Sequence, residues 1–159
     1  MDNEMNIKEL AQEIQKALLA RGEMMATAES LTGGLVASHI VDIPGSSAIL
    51  AGGIVAYQNE IKESLLGVPH QVLETEGARK KFGCEWAIAT SGIAGPTGAE
   101  PGKPVGTVWM CVANSLQIEA FCKIFEGNRT EVREKSVYSV LSKLLFLLNN
   151  QKSTCTNEH

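Results

Sequence analysis

The chain has 159 residues, which suits one domain that buries about 70% of the surface of its unfolded chain. Hydrophobic residues make up 44% and charged residues 20%, as in ordinary soluble globular proteins, which argues against a disordered, collagenous or coiled-coil chain. The formal net charge is −4 and basic residues form no run, so we expect neither nucleic acid nor a membrane as a partner. The first residues lack the order of a signal peptide, and no apolar stretch approaches a membrane span, which predicts a cytoplasmic protein.

The four cysteines and three histidines show no spacing typical of a metal site. No pair of cysteines is separated by two residues, and no H-E-x-x-H string occurs. We therefore expect no metal ion and no cofactor. Cys111 and Cys122 lie in apolar runs, which predicts that both are thiols of the hydrophobic core.

The first part of the chain alternates helical and extended patterns. Apolar residues over 7–18 recur at helical spacing, with Asn6 as N-cap and Gly22 as a stop, which predicts a helix. Residues 24–28 predict a short strand, and residues 35–41 predict a second helix after a turn of small residues.

The remaining part contains further strands and two more helices. Strands are predicted over residues 49–57, 86–90, 105–113 and 118–125, and the last two form a hairpin. A short helix is predicted to begin at Asn59, and a long last helix after its cap Asn128. This alternation predicts an α/β domain with a mixed sheet over residues 1–150, followed by a frayed polar tail over residues 151–159.

Three loops follow strands, where α/β sheets bind their ligands. In residues 29–34, Ser30 is placed as a nucleophile if a base lies nearby, or it merely caps the following helix. In residues 57–62, Lys62 acts as a base only if burial lowers its pKa, and is otherwise a solvated lysine. Residues 91–104 contain four glycines and three prolines, so they either wrap a phosphate or form a surface connection. Arg129 either binds a carboxylate or phosphate as a fork, or is exposed.

Five strings together resemble one family, the C-terminal domain of the competence-damage-inducible protein CinA, which also occurs alone as nicotinamide-nucleotide amidase. The resemblance runs from about Leu10 to Leu148. The strings, in order, are AESLTGG over 28–34, PGSS over 44–47, YQNEIK over 57–62, SGIAGP over 91–96 and KPVGTV over 103–108.

The resemblance implies a three-layer α/β/α sandwich with a mostly parallel sheet, and a metal-free amidase that converts nicotinamide mononucleotide to nicotinate mononucleotide and ammonia. It implies Ser30 as nucleophile, Lys62 as its base and Tyr57 as an assisting residue. Backbone amides near the two turns would hold the oxyanion, and the glycine-rich loop with Arg129 would bind the nucleotide. The implied binding residues are Thr32, Gly33, Gly34, Ser91, Gly92, Ile93, Ala94, Gly95, Pro96 and Arg129.

The chain departs from the family pattern in three ways. Leu31 stands where relatives usually have cysteine. A helical segment that relatives carry is missing between Ala78 and Arg79, which we expect to remove a helix from one face of the sheet and so either to expose apolar surface or to alter subunit contacts. Full-length relatives have an N-terminal domain linked to ADP-ribose pyrophosphatase activity, which we do not expect here because the motifs begin almost at Met1.

Two other functions are compatible with the residues. A domain of the same fold could bind a nucleotide or a partner without catalysis, and the missing segment favours this alternative. A phosphatase or pyrophosphatase would use the same glycines but normally needs a metal ion held by clustered carboxylates. The exposed edge of the hairpin predicts a homo-oligomer.

Overall fold

A five-stranded sheet forms the centre of the described part of the chain, residues 4–56 and 71–150 of a computed structural model. The elements are, in order, α1 (Ile7–Arg21), β1 (Met25–Glu29), α2 (Leu35–Val41), β2 (Leu50–Val55), α3 (Gln71–Phe82), β3 (Trp86–Gly92), β4 (Thr107–Ala113), β5 (Ile118–Ile124) and α4 (Arg129–Asn150). A short 3-10 helix, Ser46–Ala48, precedes β2. The helix predicted to begin at Asn59 and the tail over residues 151–159 lie outside the described residues.

The strand order is β2-β1-β3-β4-β5. β1 pairs in parallel with both β2 and β3, while β4 pairs antiparallel with β3 and with β5. The predicted mixed sheet with a terminal hairpin is therefore confirmed. Because β1 is central to the parallel half, its carboxyl end lies between those of β2 and β3.

Capping boxes begin the first and last helices at the predicted residues. The Asn6 side chain accepts a hydrogen bond of 2.8 Å from the Glu9 N–H, and the Glu9 carboxylate accepts one from the Asn6 N–H. Asn128 and Glu131 make the same reciprocal pair before α4. Each box satisfies N–H groups that the helix itself leaves without partners, which explains why the helices begin there.

Helices cover both faces of the sheet, as in the predicted three-layer sandwich. α1, α2 and α4 pack on one face around a large core that includes Ile14, Trp86 and Leu144. On the other face α3 packs over a small core of alanines with Cys111. None of the described helices is both long and apolar enough to cross a membrane.

The junction of Ala78 and Arg79, where we expected a helix to be lost, lies inside α3. That helix still covers β1 and β3, so the face keeps a helical layer. Farther along the sheet, on β4 and β5, Trp109, Ile118 and Ile124 are all more than 40% exposed. Cys111 is buried as predicted, but the prediction for Cys122 was wrong: it lies exposed on the edge strand β5.

Candidate functional site

The turn after β1 places Ser30 at the carboxyl end of the central parallel strand. The Ser30 N–H donates to the Thr90 carbonyl of β3 at 3.1 Å, and the Ser30 carbonyl accepts from the Gly33 N–H at 2.9 Å. Gly33 and Gly34 have φ angles of +58° and +94°. Glycine adopts such a conformation readily because it has no Cβ that would clash with the backbone. These contacts tie the backbone on both sides of Ser30, whose side chain is almost fully buried.

Glu29, the last residue of β1, holds this turn against α2. Its carboxylate accepts hydrogen bonds of 2.7 Å from the Val36 N–H and 3.1 Å from the Ala37 N–H, in the first turn of α2. It also accepts from the hydroxyls of Thr32 and Thr27. With Glu29 1% exposed and bound by four donors, its role is structural, and the first amides of α2 are already occupied.

Thr32 connects the ends of two parallel strands. Its hydroxyl lies 2.7 Å from the carboxylate of Glu29 on β1 and 2.7 Å from the hydroxyl of Thr90 on β3. All three side chains are buried. The resemblance implies a binding role for the backbone near Thr32. The Thr32 side chain belongs to a buried network that fixes the distance between the Ser30 turn and the glycine-rich loop.

The glycine-rich loop begins two residues later than predicted, because Ser91 and Gly92 extend β3 and pair with Trp109 and Val108. A Cβ at Gly92 would collide with the Thr107 carbonyl, so only glycine fits this close approach of β3 to β4. Beyond the strand, the Ile93 N–H donates to the same carbonyl at 2.9 Å.

The rest of the predicted binding string lies next to α4. Ala94 is buried, and the Gly95 carbonyl accepts a hydrogen bond of 2.8 Å from Nη1 of Arg129. We expected Arg129 to bind the nucleotide. In the structure at least one of its N–H groups binds the glycine-rich loop, at the carbonyl that precedes Pro96.

Arg133 is a contributor to the site that the sequence reasoning missed. Its Nε donates to the Leu31 carbonyl at 2.9 Å and its Nη2 to the Thr32 carbonyl at 3.0 Å, so one guanidinium clamps the turn that carries Ser30. Arg129 and Arg133 are four residues apart and so lie on one face of α4. The spacing of four residues is the sequence signal that could have identified Arg133. In the structure Arg129 contacts the glycine-rich loop and Arg133 contacts the Ser30 turn.

Two of the three predicted catalytic residues, Tyr57 and Lys62, lie outside the described residues. The described chain ends on this side at Ala56, whose N–H donates to the Glu29 carbonyl at 2.9 Å. The residue immediately before Tyr57 thus contacts the residue immediately before Ser30.

The buried thiols are held in their protonated form. Burial raises the pKa of Cys111, whose sulfur accepts a hydrogen bond of 2.9 Å from the Thr75 hydroxyl, and burial likewise raises the pKa of Cys84. Within residues 4–56 and 71–150, no three His, Cys, Asp or Glu side chains come together in a way that could hold a metal ion.

Comparison with known proteins gives consistent matches over nearly the whole chain. A family model described as the CinA C-terminal domain matches residues 7–148. A CinA-like protein from Anaeromyxobacter sp. (strain K) is 41% identical over 153 residues, covering 88% of this chain and 38% of that protein. A CinA-like protein from Prochlorococcus marinus (strain NATL2A) is 40% identical over 159 residues, covering 91% of this chain and 36% of that protein. The chain thus spans less than two fifths of the length of these curated relatives.

Crystal structures agree with the fold. The competence damage-inducible protein A (ComA) from Klebsiella pneumoniae subsp. pneumoniae MGH 78578 has a TM-score of 0.89 and 32% identity, over 93% of this chain and 100% of that chain. The competence/damage inducible protein CihA from Agrobacterium tumefaciens has a TM-score of 0.86 and 32% identity, over 94% of this chain and 100% of that chain.

Proposed function

The chain belongs to the CinA C-terminal domain family, and from this premise we propose that it is an amidohydrolase that deamidates nicotinamide mononucleotide. The products are nicotinate mononucleotide and ammonia, and Ser30 is the nucleophile. The observation that carries the proposal is the fixed backbone around Ser30, held by Thr90 on one side and by Arg133 on the other. Such rigidity is what a serine needs in order to attack a carbonyl in one geometry.

In the proposed mechanism Lys62 accepts the proton of the Ser30 hydroxyl as its oxygen attacks the carboxamide carbon. The tetrahedral intermediate collapses when the same lysine returns the proton to the departing ammonia, leaving an ester on Ser30. Water then attacks that ester and releases the carboxylate product. Tyr57 assists in positioning or proton transfer. A lysine acts as a base near neutral pH only when desolvation or a neighbouring cation lowers its pKa.

The hydrogen bonds that Glu29 accepts argue against this residue as the general base of the proposed reaction. It is the carboxylate nearest to Ser30 in sequence, but its oxygens accept hydrogen bonds from two backbone amides of α2 and from the hydroxyls of Thr27 and Thr32. A carboxylate occupied in this way is a poor acceptor for the serine proton, which favours a base from the 57–62 string. The developing oxyanion needs N–H donors, and we propose that backbone amides near Thr32 and Gly34 or near Ser91 and Gly92 supply them. The Gly33 amide already donates to the Ser30 carbonyl.

The glycine-rich loop is proposed to bind the nucleotide. The string begins with the last two residues of β3, the strand next to β1, so it borders the Ser30 turn. Its residues are Ser91, Gly92, Ile93, Ala94, Gly95 and Pro96. Arg129 would orient that loop through its hydrogen bond to the Gly95 carbonyl, and its positive charge would attract the phosphate. The cytoplasmic location and the single domain over residues 1–150 stay predictions.

The test is release of ammonia from nicotinamide mononucleotide in the presence of EDTA. Wild type should release ammonia, whereas Ser30→Ala and Lys62→Ala should lose at least about a thousandfold in kcat. Lys80→Ala, an exposed lysine of α3, is the matched control and should keep full activity. Binding of the mononucleotide to a folded wild type without ammonia release would instead establish the non-catalytic binding domain. Release of inorganic phosphate without ammonia, lost with EDTA and restored by added metal, would favour the phosphatase-like alternative.

A further inference from the structure

β5 is an edge strand of the sheet, and the N–H and C=O groups on its outer side pair with no described strand. It pairs with β4 on one side and with no other described strand. The Phe125 N–H donates to the Gly106 carbonyl and the Asn114 N–H to the Gln117 carbonyl, which fixes the direction of the ladder. Every second residue turns its N–H and C=O toward β4, and the residues between turn theirs outward. The outward residues are Ile118, Ala120, Cys122 and Ile124.

The sequence of β5 complements a second copy of itself. When two β5 strands run antiparallel about a two-fold axis at Phe121, every outward residue meets an outward residue. Glu119 then lies opposite Lys123 of the second copy, and all seven residues of the strand are paired. A shift by two residues in either direction removes both Glu119–Lys123 pairs and leaves strand ends unpaired. The Glu119–Lys123 pairs and the number of paired residues therefore both favour this register over its neighbours.

We propose that a second copy of this chain binds at the β5 edge in this register, joining two sheets into one. Lys123 alone would protect an edge from pairing, as single lysines on edge strands commonly do. Glu119 is on the same face of the strand, so the two-fold arrangement gives each lysine a carboxylate directly opposite.

The apolar side chains of β5 support the same arrangement. Ile118 is 41% exposed and Ile124 is 62% exposed, and in the proposed pair they lie opposite each other on the face that α3 leaves uncovered. On the other face the two Phe121 rings meet at the axis. Each exposed apolar group at the edge thus gains an apolar neighbour from the second copy.

A groove beside the edge extends the surface. It lies between β5 and α4, has a volume of about 430 Å³ and is lined in part by Phe121, Lys143 and Phe146. Lys143 lies 5.3 Å from the ring of Phe121, and Phe146 is 59% exposed. A two-fold axis perpendicular to the sheet brings α4 of the second copy to the same side of the joined sheet. The two helices therefore flank the joined strands on one side and add to the contact between the strands.

Charge reversal tests the register. Sedimentation velocity over a range of concentrations should show a dimer for wild type. Glu119→Lys or Lys123→Glu alone should raise the dimer dissociation constant on the order of tenfold, since two attractive pairs become repulsive. The double variant, in which both charges are exchanged, should return to near the wild-type value. Asp42→Lys, an exposed acid on α2 far from β5, is the matched control, and thermal unfolding verifies that each variant folds.

Disulfide trapping tests the same register without relying on charge. In a Cys155→Ser background, Ala120→Cys should form a covalent dimer on mild oxidation, because residue 120 lies directly opposite Cys122 of the second copy. Adding Cys122→Ser to that variant should abolish the cross-link. A monomer at all concentrations would overturn the proposal. So would a dimer that tolerates both charge reversals and dissociates on Trp109→Ala, which would place the contact on the sheet face.

Discussion

Nε of Arg133 donates a hydrogen bond of 2.9 Å to the carbonyl oxygen of Leu31, the residue that follows Ser30. A second donor of the same guanidinium binds the next carbonyl, that of Thr32, at 3.0 Å. The two residues come from the first and last quarters of the chain, so the turn acquires its shape only when α4 has packed. The position of the proposed nucleophile thus depends on tertiary structure and on the length and planarity of an arginine.

Arg133→Lys should lower kcat about tenfold to a hundredfold with little change in KM, because lysine cannot bind two successive carbonyls as a rigid fork. The melting temperature should change by only a few degrees. Arg79→Lys, where the arginine pairs with Glu76 on α3, is the control and should leave both kinetic constants unchanged. Steady-state kinetics with nicotinamide mononucleotide decide the matter: an unchanged kcat for Arg133→Lys would remove the residue from the positioning of Ser30.

Glu29→Gln should destabilise the protein by about 1–3 kcal/mol, because an amide N–H₂ would face N–H and O–H donors that now bind a carboxylate. Its activity should fall as well, since the same contacts hold the Ser30 turn. Urea unfolding measures the first effect and ammonia release the second. Glu13→Gln, on the exposed face of α1, is the matched control. A Glu29→Gln protein of wild-type stability would contradict the structural role that the four hydrogen bonds indicate.

The elements that local sequence signals specify were predictable. Asn6 and Asn128 were identified as caps because their side chains act within one helical turn, and the β4–β5 hairpin because its strands are adjacent in sequence. The end of β3 was set too early, since Ser91 and Gly92 look like loop residues and become strand only by pairing with β4. Cys122 was assigned to the core because it lies in an apolar run, but an apolar run does not show which side chains another layer covers, and Cys122 lies exposed on the edge strand β5.

The site was predictable to a smaller extent. Ser30 and the glycine-rich loop could be singled out because hydroxyls and glycines cluster after strands. Glu29 and Arg133 were missed because each acts on the backbone of another segment, and such contacts leave no periodic pattern in the sequence. The Thr32 hydroxyl contacts that of Thr90, a residue 58 positions away, in a network that sequence spacing does not reveal.

Gly92→Ala should lower the stability by about 2–3 kcal/mol, because the new Cβ would collide with backbone atoms of Thr107 and Val108 that cannot move aside alone. The melting temperature should fall by about 5–10 °C. The control is Gly102→Ala, where φ is +74° but no atom lies within 4 Å of the added Cβ, so backbone strain acts without collision. Equal losses for the two variants in differential scanning calorimetry would show that β3 and β4 are not in close contact at Gly92.

Cys111 should make the stability fall at alkaline pH. Burial raises the pKa of its thiol above the ordinary value of 9.0, so unfolding releases a proton once the pH exceeds that value. The stabilisation is complete below pH 9 and is lost as the pH rises through the folded-state pKa. Unfolding free energies from urea titrations between pH 8 and 10.5 should fall less steeply for Cys111→Ala than for wild type. Burial also raises the pKa of Cys122, but that thiol is exposed, so Cys122→Ser should reduce the slope less than Cys111→Ala does. A wild-type slope for Cys111→Ala would contradict the prediction.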